Sequence, residues 1–311
     1  LEKKITNKII KQIAEELKFD LVGFAEVKPL KEEIKHLKEW LRKNQQADMK
    51  YMERNLEKRE NVKEILPGAK SVISLGLNYY SDAEYPEDKN YGKISRYAFG
   101  KDYHLIIWDK LKTFEAKLKE LDPDIETKSY VDTGPVMDKV WAVKSGIGWM
   151  GKHSNVINRE IGSWFFIANI FVNRELDYDS PIGDFCGSCT ECIDACPTNA
   201  IVADYVVDAN LCISYHTIEN KKEIPKKFTG KFENWLFGCD ICQEVCPWNN
   251  KFSILSHVKE FNEDRTTRLE LSDVMKMDNK EFKSRFADSP LSRTKLKGLK
   301  RNAEFLLNES K

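Results

Sequence analysis

The sequence has no surplus of charge of either sign. Its 50 Lys and Arg stand against 50 Asp and Glu, so the whole-chain field draws in neither nucleic acid nor an anionic membrane, and any basic footprint has to be local. No stretch approaches the ~18 uninterrupted apolar residues of a membrane span. The start, Leu1 to Lys11, is a charged amphipathic pattern with no apolar signal core and no small-residue cleavage site. The expectation is a soluble cytoplasmic protein without membrane contact. There is no Walker loop, and no Gly-x-Gly-x-x-Gly follows a strand. Gly146-Ile147-Gly148-Trp149-Met150-Gly151 comes after a helix and lacks the third spacing, so a Rossmann cofactor is not expected. Nor is there a cysteine before position 186. All eight lie between Cys186 and Cys246, which excludes a secreted disulfide framework, because the first 185 residues would go unstapled, and leaves ligation as the reason for the clustering. With 311 residues a real core can be buried without such staples.

What is present reads as mixed helices and strands. Ile5, Ile9, Ile10, Ile13 and Leu17 recur at helical spacing and give way to the strand-like Leu21 to Ala25. A second helix covers Lys31 to Asn44. After the breaker Pro67-Gly68, Ser71 to Asn78 reads as a buried strand, and Tyr79 to Gly100, rich in Tyr, Asp and Gly, as a long loop. Ile106, Ile107, Leu111, Phe114 and Leu118 mark a helix ended by Asp122-Pro123. Thr127 to Asp132 is a strand delivering its last residue to a turn, Val136 to Ser145 is helical, and Trp164 to Val172 is a continuous apolar strand. The expected class is α+β: a mixed α/β domain over 1–180, a bacterial-ferredoxin-like two-cluster domain over 181–250, and a helical, locally basic tail over 251–311.

Cys186-x2-Cys189-x2-Cys192-x3-Cys196-Pro197 is the run of bacterial ferredoxins, in which three closely spaced thiolates cap one four-iron four-sulfur cube and the fourth turns away to a second. The second half reads Cys212, then Cys239-x2-Cys242-x3-Cys246-Pro247. By the same exchange Cys186, Cys189, Cys192 and Cys246 hold one cluster, and Cys196, Cys212, Cys239 and Cys242 the other. The competing reading is a pair of four-cysteine zinc sites, which do not need the full run ending in Cys-Pro. Two clusters ~10 Å apart form a wire for single electrons, and a wire needs a terminus. Tyr130-Val131-Asp132-Thr133-Gly134-Pro135-Val136 sets a carboxylate where a strand meets a Gly-Pro turn, and Gly146 to Lys152 adds a second glycine-rich loop. Such turns suit close approach to a large flat cofactor.

Together with Leu66-Pro67-Gly68-Ala69-Lys70-Ser71-Val72-Ile73, Tyr97-Ala98-x2-Lys101-Asp102-Tyr103-His104, Gly146-x-Gly148-Trp149-x-Gly151-Lys152 and Phe237-Gly238-Cys239-Asp240-Ile241-Cys242-Gln243-x2-Cys246-Pro247-Trp248-Asn249, these segments closely resemble the epoxyqueuosine reductase family over nearly the whole chain. The resemblance implies a cobalamin in the 1–180 domain, base-off and with no protein histidine below cobalt, and two 4Fe-4S clusters beside it. It implies reduction of epoxyqueuosine to queuosine at the wobble position of tRNA, with electrons passed singly through the clusters, cob(I)alamin as nucleophile and Asp132 as proton donor. For that role Asp132 should be buried beneath corrin and substrate, raising its pKa from ~3.9. The alternative is an ordinary Asp capping a helix that starts around Pro135. Further cofactor-contact candidates are Asn55, Arg59, Ser95, Arg96, Tyr97, Ser214 and Asp240, with backbone contacts at Val156 and Ile167; each could equally serve the surface or the fold. Asp102-Tyr103-His104 begins like the Asp-x-His-x2-Gly motif of other corrinoid proteins, but Ile107 stands where its glycine belongs, so His104 reads as a structural or pocket residue, as do His153 and His216.

The implied partners are the anticodon stem-loop of a tRNA and an external low-potential electron donor, acting on a monomer. Arg285, Arg293, Lys295, Lys297, Lys300 and Arg301 form a local basic footprint suited to phosphate contacts, opposed only by Asp288 and Glu304. A solvated helical face is the bland reading. Lys221, Lys222, Lys226 and Lys227 form a second basic stretch, and Tyr215 and Trp248 are candidates for base stacking. Many family members continue with helical repeats, and this chain resembles the short form. The runner-up function is a corrinoid and iron-sulfur reductive dehalogenase-like reductase of a small molecule; a plain two-cluster electron carrier is a third reading.

Overall fold

A computed structural model of the chain describes residues 5–85, 87–263 and 265–309. The first four residues of the amphipathic start and the last two of the basic tail lie outside the described ones. Four strands form an antiparallel sheet in the order Leu21–Glu26, Ser71–Asn78, Phe165–Val172, Thr127–Tyr130. The Ser71–Asn78 strand is buried at every position because both sheet faces are covered. Its alternation sorts the two faces. Ile73, Leu75 and Leu77 pack under Ile10, Ile13, Ile107, Leu111 and Phe114 of the Asn7–Glu16 and Tyr103–Leu121 helices. Val72 points the other way, into a core with Trp141 and Phe171.

The second face carries the short helix Asp138–Lys144. Its end sits so close to the sheet that a Cβ on Gly23 would lie 2.0 Å from the Ser145 carbonyl oxygen, so only glycine fits there. Polar groups under this helix satisfy one another: the Ser74 hydroxyl donates to Asn169 Oδ1 at 2.6 Å and lies 2.9 Å from the Ser145 hydroxyl. The Tyr103–Leu121 helix is capped by Asp102, which accepts from the His104 backbone N–H. It stops at Asp122, whose extended backbone is what a following proline requires.

Two sequence expectations need correction. Tyr79 to Gly100 is not all loop: Tyr91–Ile94 is a strand, paired in parallel with Trp235–Phe237 and antiparallel with Arg268–Glu270. Four residues whose partners come from far along the chain carry too little local pattern to read as a strand. The segment after residue 250 is not purely helical either, and it does not stand alone as a tail. It supplies the Arg268–Glu270 strand, and Leu271, Val274, Leu291, Leu299, Ala303 and Leu306 share one core with Ile94, Phe99, Phe232, Trp235 and Phe237. The cysteine segment carries two short helices, Glu191–Asp194 and Ile241–Glu244, packed against each other. No helix among the described residues is long and apolar enough to cross a membrane.

Candidate functional site

The paired short helices gather the cysteines. Cys186, Cys189, Cys192 and Cys246 line a cavity of about 190 Å³, closed by Trp248, Phe185, Ile157 and Lys152. Burial and then its neighbours Cys186, Cys246 and Cys189 push the Cys192 thiol up to about 11. Burial also pushes up Cys242, which feels Cys212 before Cys192 and Cys196, and Cys239, which feels Cys242 and Cys212. Cys186, Cys189, Cys192 and Cys246 thus share one cavity, while Cys242 is an electrostatic neighbour of Cys212, Cys192 and Cys196, and Cys239 of Cys242 and Cys212. Thiols around a chamber of this size suit a polynuclear cube, whose iron would offset the cost of buried thiolate charge. A single zinc would instead draw four ligands to ~2.0–2.3 Å.

The two ends of this wire differ. Phe185, Gly187, Ser188, Thr190 and Glu191 are exposed around the first group of thiols, whereas Cys212 and Cys242 carry their charge to the ammonium of Lys139, on the first turn of the Asp138–Lys144 helix. Lys139 is itself exposed, yet desolvation lowers its pKa. Tyr51 is 44% exposed, yet desolvation pushes it to about 12. A side chain that is open to solvent and still poorly hydrated lines a concave wall. Asp132 acts electrostatically on both, and Arg293 on Tyr51. The poorly hydrated surroundings that Tyr51, Asp132 and Lys139 share are taken as the candidate cleft, and the charge of Cys212 and Cys242 is felt there at Lys139.

Asp132 sits one residue past Val131, beyond the Thr127–Tyr130 strand, with φ +57°. Its turn is closed by the Thr133 N–H donating to Val131 O at 2.6 Å. The chain folds back so tightly that a Cβ on Gly134 would lie 2.1 Å from the Tyr130 ring. The following helix begins at Asp138 with Met137 as its cap and no side-chain cap bond, so the helix-cap reading of Asp132 is set aside. Its side chain is 67% exposed. The burial expected of it is not supplied by this chain. Tyr103 donates its hydroxyl to Asp132 Oδ2 at 2.7 Å, and His104 Nε2 lies 3.8 Å from the same oxygen. Burial first, then Asp132, push the Tyr103 pKa up, so its O–H remains a donor.

The other candidates divide. Tyr97 is half-buried and feels both Asp132 and Asp240, which places it on the cleft wall. Ser214 neighbours Cys212 and helps hold its thiol pKa down against the larger upward push of burial. Asn55 has a left-handed backbone ahead of the Leu56–Glu60 helix. Arg59 spends its guanidinium on the carbonyls of Val136 at 3.2 Å, Tyr51 at 3.3 Å and Arg54 at 3.4 Å, tying two walls of the cleft together. Ser95, Arg96 and Asp240 are bonded to one another: Asp240 accepts from the Ser95 hydroxyl, the Arg96 backbone N–H at 2.8 Å and the Tyr85 hydroxyl at 2.8 Å. The Val156 backbone pairs with Met150, and that of Ile167 with Gly76.

His153 is buried; desolvation and Lys139 pull it down to about 4, so it is neutral. His216 Nε2 lies 2.9 Å from the Asn210 carbonyl oxygen, a structural role. Arg301 turns inward, donating to the carbonyls of Asn220, His216 and Lys222 at 2.5, 2.7 and 2.8 Å. Arg293 pairs with Glu219 at 2.9 Å. Tyr215 is buried with its hydroxyl against the Asp48 backbone N–H at 3.2 Å, and Trp248 flanks the first thiol cavity, so neither offers a free ring at the cleft. Tyr51 does, and no local pattern in the sequence marks it.

Residues 185–249 match the family profile of the 4Fe-4S double cluster binding domain, and residues 59–133 that of epoxyqueuosine reductase QueG, DUF1730. The epoxyqueuosine reductase of Leadbetterella byssophila is 48% identical over 302 residues, 96% of this chain and 98% of that protein. That of Synechocystis sp. is 43% identical over 275 residues, 88% and 94% of the two chains. A crystal structure of epoxyqueuosine reductase with an epoxyqueuosine-modified tRNA-Tyr stem loop superposes with a TM-score of 0.90 at 33% identity, over 97% of this chain and 80% of that one. The Bacillus subtilis enzyme, solved with its catalytic Asp loop swung out of the active site, superposes with a TM-score of 0.89 at 30% identity, over 97% and 81%.

Proposed function

The chain belongs to the epoxyqueuosine reductase family, and from that premise we propose how its own residues carry the reaction. It reduces epoxyqueuosine to queuosine and holds two 4Fe-4S clusters. In our reading Cys186, Cys189, Cys192 and Cys246 ligate the outer cluster, Cys196, Cys212, Cys239 and Cys242 the inner one, and the cleft beside the inner cluster takes a base-off cobalamin. Tyr97, Lys139, Asn55, Ser214 and the backbone near Val156 and Ile167 are its proposed neighbours, while Arg59, Ser95, Arg96 and Asp240 brace the walls. The chemistry these groups supply when bound is low-potential electron transfer and reduction of a carbon–oxygen bond, for which side chains alone are unequipped.

The chain's own part is the proton. Asp132 stands at the mouth of the cleft as the donor to the departing epoxide oxygen, with Tyr103 fixing its carboxylate. The observation that carries this is the left-handed turn presenting an exposed carboxylate above the wall that the Cys212 and Cys242 thiols reach. The substrate is read as the anticodon stem-loop of a tRNA, covering Asp132 and desolvating it, with Tyr51 available for stacking and Lys295, Lys297 and Lys300 for phosphate. A cytoplasmic monomer served by an external low-potential donor completes the proposal. The test is Asp132→Asn: clusters, cobalamin absorbance and stem-loop binding should persist while single-turnover reduction falls by ~100-fold or more. Full turnover in that variant would remove Asp132 from the role.

A further inference from the structure

Removing an epoxide oxygen as water and leaving an alkene consumes two electrons and two protons, and both protons go to that one oxygen. Asp132 carries one proton at a time, so if it is the donor it has to be reloaded within each turnover. We propose that His104, oriented by Asp102, is the residue that reloads Asp132. This rests on the role of Asp132 argued above.

Asp102 holds the imidazole from one side. Its Oδ1 accepts from the His104 backbone N–H at 2.9 Å and lies 2.8 Å from ring Nδ1. An ionised carboxylate only accepts, so Nδ1 carries a hydrogen and Nε2 is left as the exchangeable position. Nε2 is buried without a hydrogen-bond partner, a costly arrangement unless another state of the site uses it. It points at Asp132 Oδ2 from 3.8 Å, a gap that a small rotation of the exposed carboxylate closes. The direction of the ring is not free: it stacks on Tyr103 at 4.1 Å, Tyr103 stacks on Phe166 at 4.1 Å, and Trp108 lies 5.3 Å away. The titratable groups facing it are Asp102 and Tyr103 from its own helix and Asp132 from the turn, with Tyr97 behind Tyr103 at 6.3 Å.

In the step assigned to it, the imidazolium N–H bond at Nε2 breaks as an O–H bond forms on Asp132, and the neutral imidazole recovers its proton from water. No electron moves. The His104 side chain is 18% exposed with Nε2 itself buried, so the ring holds the second proton of a turnover and recovers it after product leaves, through the exposed Asp132 carboxylate. His104 acts through Asp132 and is a positioning and resupply residue.

The experiment is His104→Gln in the cobalamin- and cluster-loaded protein, with a chemical reductant and modified stem-loop, followed across pH 5.5–8.5 with and without added imidazole. The expected result is a turnover loss of ~10 to 100-fold that deepens as pH rises. Imidazolium should restore turnover in proportion to its concentration, by occupying the place of the missing ring beside Asp132 before substrate covers it. Stem-loop affinity and the cofactor spectra should not change. Asp102→Asn, which keeps the helix cap and disturbs only the ring, should show the same trend more weakly. A loss that is uniform with pH and untouched by imidazole, or no loss in either variant, overturns the proposal. If Asp132→Asn is inactive while His104→Gln is unaffected, the relay fails alone; if Asp132→Asn is fully active, the donor assignment fails first.

Discussion

Asp138 offers a test of the cleft itself. It heads the Asp138–Lys144 helix, accepts from Asn169 Nδ2 at 2.8 Å, and is pushed from 3.8 up to about 7, by desolvation first, against the opposing pull of that hydrogen bond and of Arg59. A carboxyl whose pKa rises on folding costs stability wherever the unfolded chain would ionise and the folded one resists. Below pH ~3.8 both states are protonated and nothing is lost; the loss then grows with pH and is complete above ~7. At ~1.4 kcal/mol per unit, the full penalty is on the order of 4 kcal/mol as an upper bound. Asp138→Asn removes the charge and keeps an oxygen for Asn169. Between pH 5.5 and pH 8 the wild type should lose ~2 kcal/mol relative to the variant. For a chain of this size that corresponds to ~4 °C of melting temperature. Melting of the loaded proteins at the two pH values measures it. If the difference between variant and wild type is the same at both, or moves the other way, Asp138 is not desolvated and the cleft is not the concave site described.

Two further perturbations separate ligation from recognition. Cys242→Ser, in the inner set, should lower bound iron from about eight to about four per chain and abolish turnover, while the outer cluster keeps its spectrum; iron analysis and low-temperature spin resonance read this, and retention of both clusters would break the pairing. Arg301→Met should destabilise the fold by ~2–4 kcal/mol, because it leaves the carbonyls of His216, Asn220 and Lys222 without their donor. The salt dependence of stem-loop binding should be unchanged; a slope shallower by about one would return Arg301 to the phosphate contacts.

What the sequence disclosed and what it withheld follow from where each residue finds its partners. Cluster ligation is legible because three of the four thiols read for the first cluster come from one short segment, so Cys186, Cys189, Cys192 and Cys196 announce their chemistry by spacing alone. Asp132 is legible for a similar reason, since its turn is built from adjacent residues whose geometry needs Gly134 beside it. Ser95, Arg96 and Asp240 read equally as cofactor contacts or as fold residues, because they flank recognisable motifs. In the fold they bind one another across 144 and 145 positions, and no local pattern encodes that. Arg301 shows the same limit: a guanidinium reads as a phosphate contact until its donors are found spent on carbonyls 79 and 85 positions away. His104 reads from the sequence only as a structural or pocket residue, because the glycine three residues on is missing, which is a test of one motif and not of the residue. What decides its role is an unpartnered nitrogen facing a carboxylate from another part of the chain, and such an orphan donor or acceptor exists only once the chain has folded around it.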